Sequence, residues 1–253
     1  VSIKAAQAGL AVLSEKSLTT TMAEADALLG AISETGTFFV EGLMYLAHPL
    51  LSRFVEVLQD GRLGGLRSVN GYYCANIWEV VNPKGMGTLY NLGCYPASLL
   101  QLTVQTMGTQ DAFTQRQMQG FGNINLDRTI CDAACSVRFD NGVLATLQST
   151  DSYGKGNAFS VIGDNGILSF VTNPWQPAGG RSTLKWSPFE GGEELIHVDD
   201  PFDAFYHQTK LVELHVARGD KEAARPSPRH TDSWEIMDFL TSWEVSCRSA
   251  LPR

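Results

Sequence analysis

The sequence predicts a mixed α+β and α/β chain: a short βαβ opening, then a large, mainly antiparallel β-sheet with helices on one face. Three observations carry this expectation. Apolar runs at residues 11–13 and 37–40 flank a helical repeat of Ala25, Leu28, Leu29 and Ile32, and a strand, helix and strand with short links imply a parallel pair. Beyond about residue 110 the period changes to two, with Ala133, Cys135, Val137 and Phe139 alternating with polar residues. Turn signals punctuate that stretch, at Asp140-Asn141-Gly142 and at Gly163-Asp164-Asn165-Gly166.

The elements follow in order. Residues 1–9 read as the end of a helix stopped by Gly9. Thr21 and Glu24 have the spacing of a capping box, and Gly36 ends the helix they open. Pro49 suits the first position of a helix whose face is Leu51, Phe54, Val55 and Leu58, with Gly61 or Gly64 closing it. Residues 66–78 read as one long strand carrying Tyr73 and Trp78, and residues 79–87, with Pro83, Gly85 and Gly87, as a loop. A helix bears Leu99, Leu100, Thr103 and Val104. Strands are expected at 143–149, 157–162, 167–170, 184–186 and 195–198. Residues 202–218 read as a helix with Phe202, Phe205, Tyr206 and Val212 on one side, ended by Gly219. After a charged loop, Thr231 caps a last helix bearing Trp234, Met237, Leu240 and Trp243.

Composition narrows the function. The 253 residues carry a net charge of −8, without a basic stripe, which excludes nucleic acid and anionic membrane surfaces as natural partners. No apolar run approaches the roughly 18 residues of a membrane span, and no basic-then-apolar leader opens the chain, so a cytoplasmic location is expected. The five cysteines are odd in number and sparse, which favours reduced thiols. Cys131 and Cys135 fit one face of a strand, and no second ligand pair follows at zinc spacing, so no metal site is expected. Each of the pairs Gly85/Gly87, Gly120/Gly122 and Gly154/Gly156 lacks the third glycine of a dinucleotide fingerprint.

Three segments do carry chemistry. Ser14-Glu15-Lys16-Ser17-Leu18 follows the first strand, and Glu41 to Pro49 follows the second. The third runs from Gly85 to Pro96 and includes Asn91 and Tyr95. Ligands of open α/β sheets bind beyond the carboxyl ends of strands, where the first two segments lie. A lysine there, with a tyrosine from another segment, makes a proton-transfer pair. A nearby ammonium favours the phenolate, so Lys16 is expected to lower the pKa of Tyr95.

These segments, in this order and at these spacings, resemble the Gfo/Idh/MocA oxidoreductases. The resemblance rests on AGLAVLSEKSL, EGLMYLAHP and GMGTLYNLGCY, together with the two sheet-domain turns. It implies an NAD(P)-dependent oxidoreductase that transfers hydride to or from a sugar, polyol or related substrate. Tyr95 would be the acid/base, Lys16 its partner beside the nicotinamide, Asn91 a substrate-positioning group, and Glu15 a neighbour of the cofactor. The resemblance also implies that residues 1–40 are the C-terminal part of a Rossmann dinucleotide-binding domain. Residues 41–253 would be the substrate-binding and oligomerisation domain, paired as a homodimer or homotetramer through its open sheet face. Since the first residue is Val1, the phosphate-binding glycines are expected before it, and the chain alone is expected to be an inactive fragment. Three positions depart from the family pattern: Ser17 stands for Pro, Leu46 for Arg and Asn91 for Asp. They leave open an alternative, a non-catalytic ligand-sensing homologue.

Overall fold

Thr21 opens the first long helix through its hydroxyl, which accepts the Glu24 amide at 3.3 Å. Gly36 closes it with φ +60°, a left-handed geometry that glycine adopts without cost. The structure, a computed structural model, describes residues 1–82 and 84–251. A short helix α1 (Ser2–Gln7) leads to β1 (Val12–Glu15), α2 (Met22–Thr35) and β2 (Phe39–Gly42). β1 and β2 pair in parallel, Ser14 opposite Glu41 and Glu15 opposite Gly42, as the βαβ reading requires. Both strands start and end a residue or two later than the apolar runs suggest. Gly42 permits their close approach, since a Cβ there would meet the Ser14 carbonyl oxygen at 2.9 Å.

The second unit begins with a 3₁₀ turn (Met44–Ala47) and α3 (Pro49–Gln59), with Pro49 in the first turn as expected. β3 (Leu66–Ala75), α4 (Trp78–Val81), a π-helical turn (Leu89–Gly93) and α5 (Cys94–Met107) follow. Then come β4 (Arg116–Ile124), β5 (Ile130–Phe139), β6 (Leu144–Thr150), β7 (Lys155–Gly163), β8 (Gly166–Phe170), β9 (Gly180–Pro188) and β10 (Glu194–Asp200). Helices α6 (Ala204–Arg218) and α7 (His230–Ser249) complete the chain. Strands β3 to β10 form one eight-stranded sheet in the order β10-β9-β8-β7-β3-β6-β5-β4, antiparallel except where β3 lies parallel to β6.

One sheet face makes the core. Val69 and Tyr73 of β3, Ala145 and Leu147 of β6, Val137 and Phe139 of β5, and Phe159 and Val161 of β7 are all buried. Helices α3, α5 and α7 cover that face, with Trp243 of α7 seated on Gly120 of β4, where a Cβ would lie 2.9 Å from the indole. The opposite face leaves Tyr72, Phe121 and Leu144 exposed. The five cysteines are free thiols, and Cys131 and Cys135 are buried on β5. Among the described residues no helix is long and apolar enough to cross a membrane.

Three expectations are corrected. The long strand stops at Ala75, and Trp78 instead starts the one-turn helix α4, because the ladders on both sides of β3 end there, at Thr150 and Lys155. Pro83 of the expected loop lies outside the described residues. α6 starts at Ala204 and not at 202, because the Asp203 side chain accepts the Tyr206 amide and caps it; Phe202, Phe205 and Tyr206 are exposed, while Ala204, Gln208 and His215 are buried. Finally, α7 starts at His230 and not after a Thr231 cap; Asp232 accepts the Arg229 amide at 3.0 Å and tethers the start.

Candidate active site at the ends of the parallel strands

β1 delivers Lys16 one residue past its carboxyl end, and the turn that follows is tied down on two sides. The Ser17 hydroxyl donates to the Tyr90 carbonyl at 2.8 Å, and the Leu18 amide donates to Glu41 Oε1 at 2.7 Å. The peptide bond between Lys16 and Ser17 is cis. Held in this way, the half-buried Lys16 reaches across to the π-helical turn. Its ammonium donates to the Asn91 backbone carbonyl and, at 3.4 Å, to Asn91 Oδ1. It also lies 5.3 Å from the centroid of the Tyr95 ring, a cation–π distance. Lys16, Asn91 and Tyr95 therefore converge from segments about 75 residues apart. The π-helical turn leading into α5 brings Asn91 and Tyr95 to the same side, and Pro96 falls in the first turn of α5, where it is tolerated. Glu15 ends β1 and is exposed at the rim.

The tyrosine is held by an aromatic cage. Its ring is 5% exposed and packs edge-on to Tyr73 at 5.3 Å, with Tyr45 at 5.8 Å and Trp175 at 6.3 Å. The Tyr45 hydroxyl fixes the backbone behind it by donating to the Tyr95 carbonyl at 3.2 Å. Among the described residues the Tyr95 hydroxyl itself has only the Met44 thioether, 3.8 Å away, as a partner. A thioether is a weak acceptor, so this hydroxyl keeps its hydrogen-bonding capacity for a ligand. Its pKa departs from expectation. Burial first, then the neighbouring Cys94, Tyr73 and Glu15, hold the phenol well above its ordinary value. Lys16 does not lower it, because the ammonium sits over the ring face and spends its hydrogen bonds on Asn91.

Two polar features complete the site. Asn91 Nδ2 is buried without a hydrogen-bond partner among the described residues, an arrangement that costs free energy until a ligand oxygen accepts from it. An ammonium has three donors, and Asn91 takes two of the Lys16 set, leaving one for a substrate oxygen. Glu41, Met44 and Tyr45 belong to the segment Glu41 to Pro49 that the sequence marks, though without individual roles, and Trp175 has no signal there. Trp175 lies in an aperiodic loop, and Glu41 is a carboxylate set among apolar neighbours. Trp78, by contrast, starts α4 and contributes nothing to the Tyr95 cage, and Leu46 is 2% exposed in the core.

A metal is ill suited to the chain's most promising cluster. Among the described residues, His48, Asp200 and His207 bring one ligand atom each within 4.8 Å of the others. His48 Nδ1, however, accepts the Leu50 amide at 3.1 Å as the cap of α3. That places the hydrogen of the neutral ring on Nε2, the atom a metal would need. The cluster instead joins α6 to the end of β10, with His207 Nε2 and Asp200 Oδ1 2.9 Å apart, and sets the His207 ring edge-on against His48, 5.1 Å between centroids.

Comparison with known proteins finds relatives of this chain. Residues 52–169 match the family model of the GFO/IDH/MocA C-terminal domain. The chain is 31% identical over 102 residues to a dTDP-3,4-didehydro-2,6-dideoxy-alpha-D-glucose 3-reductase of Actinomadura kijaniata, covering 37% of this chain and 30% of that protein. It is 22% identical over 230 residues to a D-xylose 1-dehydrogenase (NADP(+)) of Haloferax volcanii, covering 85% of this chain and 65% of that protein. The fold is shared with the crystal structure of a 3-ketoreductase from Actinomadura kijaniata in complex with TDP-benzene and NADP. That likeness has a TM-score of 0.80 at 21% identity, over 96% of this chain and 72% of the other. The chain spans about three tenths of the length of the first two curated relatives it matches.

Proposed function

We propose that the chain is part of a Gfo/Idh/MocA oxidoreductase, as the match of residues 52–169 to the family's C-terminal domain supports, and that the whole protein transfers hydride between NAD(P) and a sugar, polyol or related substrate. The observation that carries this reading is the meeting of Lys16, Asn91 and Tyr95 beyond the carboxyl ends of β1 and β2. The residues present fit a nicotinamide and a hydroxylated substrate, since an amide nitrogen without a partner among the described residues, a cation with a spare donor and a phenol bonded to a thioether lie in one cluster. When bound, NAD(P) supplies or accepts the hydride.

The chain's own residues do the rest. Lys16 and the Asn91 amide hold the substrate oxygen and a neighbouring hydroxyl. The Tyr95 phenol, kept protonated by burial, gives its proton to the carbonyl oxygen as hydride reaches the carbon. The reverse direction returns the proton to Tyr95. The aromatic cage excludes water from the transfer. Glu15 would lie toward the cofactor ribose. Residues 1–40 would be part of the dinucleotide-binding domain and residues 41–253 the substrate domain, a reading supported by the separation of the two sheets, with β2 running across that boundary to Gly42. The dinucleotide phosphates would bind residues other than these 253, which hold no Gly-x-Gly-x-x-Gly. Five free thiols suit a reducing compartment such as the cytoplasm.

The test uses the full reading frame containing these residues, with NADH and NADPH oxidation followed against a panel of keto-sugars and aldoses. Turnover with one of them is expected. Retained ligand binding with no turnover anywhere in the panel would instead identify a ligand sensor, the reading that Leu46 and Asn91 favour. Pairing through the open sheet face is a second expectation, since Tyr72, Phe121 and Leu144 stand exposed there. A solution mass should be twice or four times that of the chain, and a monomer at micromolar concentration would refute it.

A further inference from the structure

The turn after β1 meets the π-helical turn at two neighbouring carbonyls. Lys16 donates to the Asn91 carbonyl, and the Ser17 hydroxyl donates to the Tyr90 carbonyl at 2.8 Å. The two bonds differ in what they can fix. Lysine reaches Asn91 on a flexible four-carbon stem, so its ammonium finds that acceptor over a range of turn positions. A serine hydroxyl is one bond from Cβ, and it reaches the Tyr90 carbonyl only when the backbone at residue 17 lies close by. The acceptor is itself a fixed post. Tyr90 is 5% exposed, and its phenol donates to Glu244 Oε2 of α7 at 2.6 Å. Arg248 in turn donates to Glu244 Oε1 at 2.7 Å. The other tie of the turn, from the Leu18 amide to Glu41, runs to β2, the neighbour of β1, and sets no distance to the π-helical turn. We propose that Ser17 is a positioning residue for Lys16: its hydroxyl clamps the Lys16 turn to the π-helical turn and so holds the ammonium against Asn91 and over the Tyr95 ring. This rests on the reading that Lys16 holds the substrate oxygen.

Sequence and packing both support the clamp. Ser17 stands where the family pattern has Pro, and proline has no hydroxyl to donate, so this bond is the chain's own way of setting the turn. A π turn takes its bonds from amides five residues on, and for the Asn91 carbonyl that residue is Pro96, which has no N–H. A carbonyl lacking that amide keeps a lone pair for the ammonium. Asn91 thus offers Lys16 its acceptor, and the adjacent Tyr90 carbonyl, through Ser17, sets how near the lysine backbone stands. With the hydroxyl bond removed, drift of the turn is taken up by the lysine stem and shows as movement of the ammonium, now 5.3 Å from the Tyr95 centroid. Misplacing a positioned group by about 1 Å can cost about 100-fold in rate, so a bond of modest strength has a large lever here.

The test reads the amine and the turnover separately. In the full reading frame, without cofactor or substrate, trace acetic anhydride labels the lysines at a single mildly alkaline pH. Mass spectrometry then compares Lys16 with Lys4 and Lys221, which are exposed. Acylation needs the amine released from Asn91. Ser17→Ala should therefore raise the Lys16 rate about two- to tenfold relative to the two reference lysines, the shift that losing one net hydrogen bond allows. Ser17→Thr keeps the hydroxyl and should restore the native ratio. An unchanged Lys16 ratio in Ser17→Ala, a rise shared by all three lysines, or a rise that Ser17→Thr does not reverse would overturn the proposal. Should Ser17→Ala not fold, Ser17→Cys takes its place with the same expectation, since a thiol fills similar space and donates weakly. With a substrate that is turned over, kcat should fall about tenfold in Ser17→Ala, with KM for NAD(P) unchanged, and recover in Ser17→Thr. A faster-labelled Lys16 beside an unchanged kcat leaves the clamp standing and removes Lys16 from the chemistry, so the two readings fail separately.

Discussion

Lys16→Met is expected to lower kcat/KM for carbonyl reduction by about 100- to 1000-fold, the scale observed when a single donor to a developing oxyanion is removed. Methionine keeps the stem that crosses to the Tyr95 ring and deletes the ammonium. Two consequences separate this from a folding defect. Lys16 is only half-buried, and its partners are a backbone carbonyl and a partly exposed side chain, so the melting temperature should move little. Ground-state affinity for NAD(P) should also survive, since the phosphates carry most of it, whereas kcat falls with kcat/KM. The measurement is steady-state kinetics at saturating cofactor, paired with thermal unfolding. A variant with less than tenfold loss and an intact fold would remove Lys16 from the chemistry. Lys16→Arg is a sharper companion, because a planar guanidinium keeps the charge and misplaces the donors. Partial recovery with Arg would assign most of the effect to charge, and none would assign it to geometry.

Much of this site was readable from residue order alone, for a physical reason. A strand end, a turn and a helix start are local events, so Ser14–Leu18, Glu41–Pro49 and Gly85–Pro96 announce themselves by sequence. The capping pair Thr21 and Glu24, the stop at Gly36 and the period-two run of β5 were equally local, and each stands where it was expected. What failed was settled at long range. β3 was drawn too long because its end is set by where β6 and β7 stop, which its own residues do not record. Along α6 the sequence groups Phe202, Phe205 and Tyr206 on one side without recording which side is packed. His215 turns inward, stacked on Phe38 at 5.8 Å and bonded to Asp220 at 2.7 Å, while the aromatic residues face out. The pKa direction of Tyr95 was missed for the same reason. Proximity to Lys16 was inferred correctly, but the desolvation that outweighs it comes from Tyr45, Tyr73 and Trp175, three residues from three separate segments.

Tyr95→Phe is the second large effect, an expected loss of about 10²- to 10⁴-fold in kcat, the contribution of a positioned acid/base. Here structure and chemistry separate cleanly. The ring's packing against Tyr73, Tyr45 and Trp175 is retained by phenylalanine, and the hydroxyl's single long contact to Met44 contributes little. Stability at pH 7 should therefore change by less than about 1 kcal/mol. Stability in alkali should improve, and its sign follows from the raised pKa. The unfolded phenol ionises near pH 10, while the buried one keeps its proton. The native state then binds more protons than the unfolded state, so stability conferred below about pH 10 is lost as pH climbs beyond it. Phenylalanine has no proton to lose, so denaturant unfolding at neutral pH and above pH 10 should show a smaller alkaline loss in the variant. The same phenol, protonated throughout the neutral range, predicts that carbonyl reduction by the native enzyme has no alkaline decline attributable to Tyr95 below pH 9. Wild-type turnover in Tyr95→Phe would transfer the proton donor's role elsewhere, and Lys16 would be the group left to test.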